Sequence, residues 1–272
     1  MDKKYYYSEI FYSIQGEGHY TGVPTAWLRF FLCNLQCSGF GQIDPTNPET
    51  YDLPFEDFDV SSVKRVEDLP VWEKGCDSSY TWAKKFKSLM GQETPSTLAN
   101  KLVDCMKNES NPKGLFMHPV SKQHQHLCFT GGEPLMVTGQ QAVVGIYNTL
   151  KKQGNLPGSM TFETNGTQIL RQPFIDWVNE IDTEVFFSCS PKLFTVSGEK
   201  ADKAIKPEIV AEYYKLSKAG QLKFVVGPRQ REWDEMEEAI EKFRSAGVEW
   251  PVWVIPTGAR EEEETAIAGD VA

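Results

Sequence analysis

Long apolar runs, histidine and positive charge are all scarce in this sequence, and each scarcity excludes something. No stretch approaches the roughly 18 uninterrupted apolar residues of a membrane span, so no membrane is expected. There are 28 Lys and Arg against 38 Asp and Glu, a net charge of −10. Such a chain lacks the basic footprint that neutralises phosphates, so no nucleic acid is expected as a partner. Six cysteines in 272 residues fall far below the roughly 8–10% of disulfide-built secreted domains. A chain of this length buries roughly three quarters of its unfolded surface and needs no such staples. Residues 1–9 are polar and tyrosine-rich, without the apolar core of a secretory signal. The expected setting is cytoplasmic, where free cysteines serve metals or chemistry more often than bridges.

What the sequence does contain is an alternation. Apolar runs rich in Phe, Val, Trp and Leu recur at 25–33, 126–130, 160–163, 184–190, 222–226 and 250–255, as strands buried on both faces do. Between them helical periodicity covers 96–107, 140–152, 173–180, 207–218 and 232–245. Pro207 is placed as a first-turn proline, and Gly220 and Gly247 stand where helices stop. Trp233, Met236, Ala239, Ile240 and Phe243 share one helical face, which predicts a helix laid on a sheet. The repeated alternation predicts an α/β fold of right-handed βαβ units with a parallel sheet. A closed or partly closed barrel and an open doubly wound sheet both satisfy it.

Residues 42–74 break the rhythm. They carry Pro45, Pro48, Pro54 and Pro70, and nine acidic against three basic residues, so −6 of the chain's −10 sits there. The segment reads as an insertion loop with one short helix near 60–66, functional or mobile as loops of that length usually are. The rest of 1–272 reads as a single domain around it.

Chemistry gathers at the ends of the apolar runs. Cys33 and Cys37 end the first of them, and Cys76 follows after 38 intervening residues. Thiolates ligate iron–sulfur clusters and structural zinc, and three of them leave one metal position open. Cys105, Cys128 and Cys189 fall inside helix or strand readings and are expected to be small buried hydrophobes. His124 and His126, at a strand mouth, read as structural rather than as metal ligands. Thr130-Gly131-Gly132-Glu133-Pro134 follows a strand directly, and its glycines admit a ligand close to exposed amides. Glu163-Thr164-Asn165-Gly166-Thr167 and Ser188-Cys189-Ser190-Pro191-Lys192 end the next two strands. Singly these are ordinary turn chemistry. Together they mark the carboxyl ends of consecutive parallel strands, where α/β folds build their sites. Gln15-Gly16-Glu17-Gly18 lies upstream. Arg29, amid Trp27, Leu28, Phe30 and Phe31, needs an anionic partner, either an internal acid or a carboxylate substrate.

Taken together, these motifs resemble the radical S-adenosylmethionine (SAM) superfamily and, within it, the 7-carboxy-7-deazaguanine synthase family. The resemblance runs in the family's order from about residue 8 to about residue 260, through Phe11 to Gly18, Arg29, Cys33, Cys37, Cys76-Asp77-Ser78 and Tyr80-Thr81-Trp82. It continues through Thr130 to Pro134, Glu163 to Thr167 and Ser190-Pro191-Lys192. It implies a partial TIM-like (β/α)6 parallel barrel of the radical SAM type. The implied reaction is the ring contraction of 6-carboxy-5,6,7,8-tetrahydropterin to 7-carboxy-7-deazaguanine with loss of ammonia, on the route to queuosine and other 7-deazapurines. Cys33, Cys37 and Cys76 would hold a [4Fe–4S] cluster whose open iron binds SAM. Gly131, Gly132 and Glu133 would position the methionine amine, Glu163 would lie near the ribose, Ser190 and Lys192 near the SAM end groups, and Asn165 would also belong to the SAM site. Gln15, Glu17, Arg29 and Thr130 would surround the pterin, and Ser78 would ligate Mg2+. An electron donor such as flavodoxin or ferredoxin and a homodimer are implied as well.

The chain departs from the superfamily pattern in three places. Phe40 stands where the compact C-x3-C-x2-C motif has its third cysteine, so residues 42–74 would interrupt the cluster loop, at a closure entropy that grows only logarithmically with length. Gly75 replaces the bulky residue usual before the last cysteine, and the adenine contact is left unassigned. The sequence runs 16 residues past Pro256, so the family's closing segment is expected to be short or absent. Two other readings stay open, an activase of a glycyl-radical partner and a non-enzymatic zinc scaffold.

Overall fold

The computed structural model describes residues 2–258 and 261–271; Met1 and the end of the resembling span near residue 260 lie outside the described residues. The chain enters with a strand the periodicity did not predict, β1 (Tyr5–Ile14), antiparallel to β2 (Pro24–Phe30) and edged by the short β3 (Gly91–Glu93). β1 escaped notice because both of its faces mix aromatic and polar groups. Ile10 and Tyr12 pack on the core, while Glu9 and Phe11 meet Arg29 and Trp27 on the other side.

From β2 the sheet continues through β4 (His126–Gly131), β5 (Ser159–Thr164), β6 (Glu184–Cys189), β7 (Gly220–Val226) and β8 (Val252–Pro256), each parallel to the last. The sheet order among the described residues is β3-β1-β2-β4-β5-β6-β7-β8. The six parallel strands never reverse direction of progression. Right-handed crossovers that all step the same way leave the crossover helices on one face. That decides between the two architectures: the sheet is a singly wound (β/α)6 half-barrel, not a doubly wound sheet.

Helices follow the strands. They are α1 (Pro54–Asp57), α2 (Pro95–Cys105), α3 (Val137–Lys152), α4 (Gln172–Glu180), α5 (Phe194–Ser197), α6 (Ala201–Ala204), α7 (Pro207–Leu216), α8 (Gln230–Ser245) and α9 (Glu261–Val271). The strands are not apolar on both faces, as their composition suggested. Leu28, Phe129, Phe162, Phe187 and Phe224 point to the helices and are fully buried, with Phe30, Phe129, Phe162 and Phe187 stacked at 5.5–6.1 Å between centroids. The alternate positions, Arg29, Thr130, Glu163 and Lys223, face the barrel interior around one cavity. Period-2 alternation therefore separates a dry outer face from a polar lumen. Met236, Ala239 and Phe243 of α8 are buried as expected.

Gly247, at φ +84°, ends α8 as a left-handed cap. Gly220 does not cap a helix. It opens β7 where a Cβ would lie 2.3 Å from the Trp250 ring, so its role is close packing.

Residues 42–74 are folded rather than a bare loop. In place of one helix near 60–66 there are 3-10 turns at Val60–Ser62 and Val66–Asp68, with α1 before them. Phe55 and Trp72, with Ala83 and Phe86 beyond, form a small core of their own, against which Phe58, Leu69 and Trp82 pack. Its neck is tied twice. Gly75 N donates to Phe40 O at 2.8 Å, and the buried Gln42 amide exchanges hydrogen bonds with the Asp52 backbone at 2.7 and 3.0 Å. These ties return Cys76 to Cys37 across the intervening 38 residues. Past β8, α9 packs back on that strand, and its Ile267 borders the cavity.

Candidate active site

The connection from β1 to β2 folds under the half-barrel and forms its floor. His19 N donates to Gln221 Oε1 at 3.0 Å, and Gly18 lies so close to that side chain that a Cβ would overlap it. The Tyr20 ring sits 4.2 Å from that of His126, and its hydroxyl donates to Glu184 at 2.6 Å. His126 has both ring nitrogens on hydroxyls, Ser159 at 2.7 Å and Thr161 at 2.6 Å, which makes it a structural histidine as expected. Burial, with His19 nearby, lowers its pKa to about 3. The unfolded chain therefore binds a proton through this group below pH 6.5 that the folded chain refuses, and stability falls as pH drops from there toward 3. His126→Gln should remove up to about 2.7 kcal/mol of the stability lost between pH 6.5 and 4.5, measured by urea unfolding at the two pH values.

Charge lines the walls. Arg29 Nε bonds Glu9 Oε1 at 2.7 Å and its Nη1 reaches Ser78 Oγ at 3.4 Å. The internal acid is thus present, on the strand the sequence pattern missed, and one side of the guanidinium still faces the cavity. Lys223 bridges Glu17 and Glu163, each at 2.9 Å, and Gln15 Nε2 donates to Glu163 at 3.2 Å. Burial opposes the ammonium charge, but the two carboxylates outweigh it and hold its pKa above the ordinary lysine value.

At the rim, the carboxyl end of β2 turns through Leu32, at φ +103°, into Cys33, while Cys37 adopts φ +53°. Such left-handed residues are strained and persist only where surroundings fix them. Here Glu199 Oε1 accepts from Gln36 N and Cys37 N at 2.6 and 2.9 Å. The Gly131-Gly132 turn is stitched to the same segment, with Gly132 N on Phe30 O and Glu133 N on Leu32 O. A Cβ on either glycine would meet backbone oxygen at 2.3 Å.

Glu133 was expected to help hold a ligand amine, but it is absent from the cavity wall. It is 1% exposed and its carboxylate accepts from Leu135 N, Thr164 Oγ1 and Asn165 N. Burial raises its pKa to about 7 against those bonds. Glu133 ties the Gly-Gly turn to the end of β5 instead. Asn165 in turn donates to Asn34, with Cys33 Sγ 3.9 Å away.

All the other candidates border one cavity of about 910 Å³: Cys33, Cys37, Cys76, Ser78, Gln15, Glu17, Arg29, Thr130, Gly131, Gly132, Glu163, Asn165, Ser190 and Lys192. Lys192 Nζ donates to Ser190 Oγ at 3.1 Å. Lys223, which no motif of the sequence marks, shares the cavity wall, as do Asp77 and Trp82, which lie in the motifs around Cys76 but carry no expected role. Lys223 carried the signal that singled out Arg29, a lone cation inside an apolar run. Cys128 and Cys189 are buried outside the cavity wall, and Cys105 lies on α2.

The three cavity thiols are protonated at neutral pH. Burial pushes Cys33 up to about 11 and Cys76 to about 12, and raises Cys37 as well. Among the described residues no three His, Cys, Asp or Glu side chains converge to hold a single metal ion. The three thiols share the cavity wall, and thiolates are the ligands an iron–sulfur cluster takes. Leu35 N donates to Cys33 Sγ at 3.4 Å, as amides do to cluster sulfurs, and the Trp82 indole N–H is buried beside the site without an acceptor. The residues present fit such a group.

No family model matches the chain. It is 25% identical over 180 residues to the 7-carboxy-7-deazaguanine synthase of Buchnera aphidicola subsp. Schizaphis graminum, covering 63% of this chain and 58% of that one. Over 209 residues it is 24% identical to the protein of that name from Rickettsia prowazekii, covering 77% of this chain and 60% of the relative. The chain thus spans about three fifths of the length of these curated relatives. The crystal structure of QueE from Escherichia coli superposes with a TM-score of 0.50 at 18% identity, covering 98% of this chain and 88% of that one. The chain is thus similar in sequence to 7-carboxy-7-deazaguanine synthases and in fold to QueE.

Proposed function

We propose that the chain is a radical SAM lyase that contracts 6-carboxy-5,6,7,8-tetrahydropterin to 7-carboxy-7-deazaguanine with release of ammonia. The observation that carries this reading is a single cavity shared by three thiols, a Gly-Gly turn and a floor of paired charges. Bound at Cys33, Cys37 and Cys76, a [4Fe–4S] cluster with SAM would supply the radical that begins the rearrangement. The protein's part is to orient and to exclude water. Gly131 and Gly132 present backbone close to the rim, and Asn165, Ser190 and Lys192 offer polar contacts to SAM beside it. Arg29 offers a guanidinium suited to the substrate carboxylate. Gln15, Glu17, Thr130, Glu163 and Lys223 form a fixed array of donors and acceptors for the edges of the pterin, and the aromatic floor seals them from below. Ser78, beside Arg29, is the hydroxyl offered to Mg2+, which would also bind the substrate carboxylate. The reading includes one domain carrying residues 42–74 as an insertion in the cluster loop, a cytoplasmic homodimer, and an electron donor such as flavodoxin or ferredoxin.

Anaerobic reconstitution with iron and sulfide, then incubation with SAM, reductant and carboxytetrahydropterin, should give 5′-deoxyadenosine and the deazaguanine. 5′-Deoxyadenosine without the deazaguanine would remove the synthase reading and keep the superfamily. Ser78→Ala should weaken the rise of turnover with Mg2+ by about tenfold or more, a lost ligand's typical effect; an unchanged Mg2+ titration removes that role.

A further inference from the structure

The insertion's aromatic core reaches the cluster loop at Trp82. Its ring meets Phe55 edge to face at 5.6 Å, and Phe55 in turn packs on Trp72 at 6.5 Å. Trp82 also borders the cavity beside Cys76, while its indole N–H is buried with no hydrogen-bond acceptor. A buried N–H without an acceptor is costly, of the order of 1–3 kcal/mol, and native folds rarely leave one. Ser79 N donates to Cys76 O at 3.0 Å and Trp82 N to Ser79 O at 3.2 Å, so two consecutive tight turns lead from Cys76 to Trp82. A neutral thiol is a weak acceptor, whereas a metal-bound thiolate is a good one.

We propose that Trp82 is a positioning residue that donates its indole N–H to the Cys76 sulfur once that sulfur ligates the cluster, held there by the aromatic core of residues 42–86. This deepens the cluster reading above and rests on it. The inserted segment thereby acquires a role, which is to brace the donor to one cluster ligand. Hydrogen bonds to ligand sulfurs stabilise the more negative, reduced cluster and so raise its potential. Trp82→Phe keeps the ring on Phe55 and removes only the donor.

The test uses the full chain, reconstituted anaerobically. Trp82→Phe should load as much iron and sulfide as the unsubstituted protein, with a more negative midpoint potential by spectroelectrochemistry. Full loading with an unchanged potential overturns the proposal. Should the variant fail to load, a measurement on the unsubstituted protein decides. Chain labelled with 15N at the indole nitrogen of tryptophan should show 15N hyperfine coupling to the reduced cluster in pulsed electron paramagnetic resonance; its absence overturns the proposal. Failure of the unsubstituted protein to assemble any cluster would instead sink the functional reading, so the two failures are distinguishable.

Discussion

Cys76→Ala, reconstituted without oxygen, should retain less than about a tenth of the iron and sulfide of the unsubstituted chain and produce no measurable 5′-deoxyadenosine from SAM. Each ligand must lose a proton to bind metal, and burial holds all three thiols protonated at neutral pH, so binding and deprotonation are coupled. The other described residues of the cavity wall, among them Asp77, Ser78, Ser190 and Lys192, offer no further thiol in its place. The fold should survive: Cys76 lies outside the main core and packs on the small cluster of Leu35, Cys37 and Ala204, so the substitution should cost about 1 kcal/mol. Cys105→Ala, on α2, is the control and should load normally. Normal iron content in Cys76→Ala would mean that the thiol returned by the neck of the insertion is not a ligand.

Lys223→Met should lower stability by about 3 kcal/mol and abolish turnover, because removing one member of a buried ion network leaves the others uncompensated. Glu163 is 14% exposed and Glu17 44%, so the cost falls mainly on Glu163, which has Gln15 as its remaining partner. Adding Glu163→Gln to Lys223→Met removes that stranded charge and should restore part of the stability, giving a coupling energy of about 1–2 kcal/mol in a double-mutant cycle. Activity should stay lost in the double variant. If Lys223→Met unfolds at the same urea concentration as the unsubstituted chain, the triad contributes nothing to the fold and the wall is not built as described.

The parallel strands and principal helices were legible because each had to bury one apolar face, and burial imposes a period. β8 began two residues later than its apolar run at 250–255 because Trp250 packs on Gly220 rather than entering the strand. The strand-end motifs were legible for a related reason: glycine pairs and lone ions inside apolar runs are costly without a use. β1 was not legible, since Tyr5, Tyr7 and Glu9 alternate no single property, and its partner is read only once β2 is in place. Glu133 was misjudged because a buried carboxylate and a cavity carboxylate have the same sequence context; only the three donors around it distinguish them. The insertion's core was invisible because Phe55, Trp72 and Phe86 follow no period and meet through tertiary packing alone.

The floor of the half-barrel has a consequence for how the molecule is made. Glu17 and Lys223 are 206 residues apart, and His19 meets Gln221 across 202. Contacts of such separation form late, since the whole intervening loop must be closed before they return any energy. During synthesis the first strands can pair while Glu17 still lacks its cation, and Lys223 completes the array only when β7 docks. The charged array is therefore among the last features this chain acquires, and an incompletely folded copy lacks it.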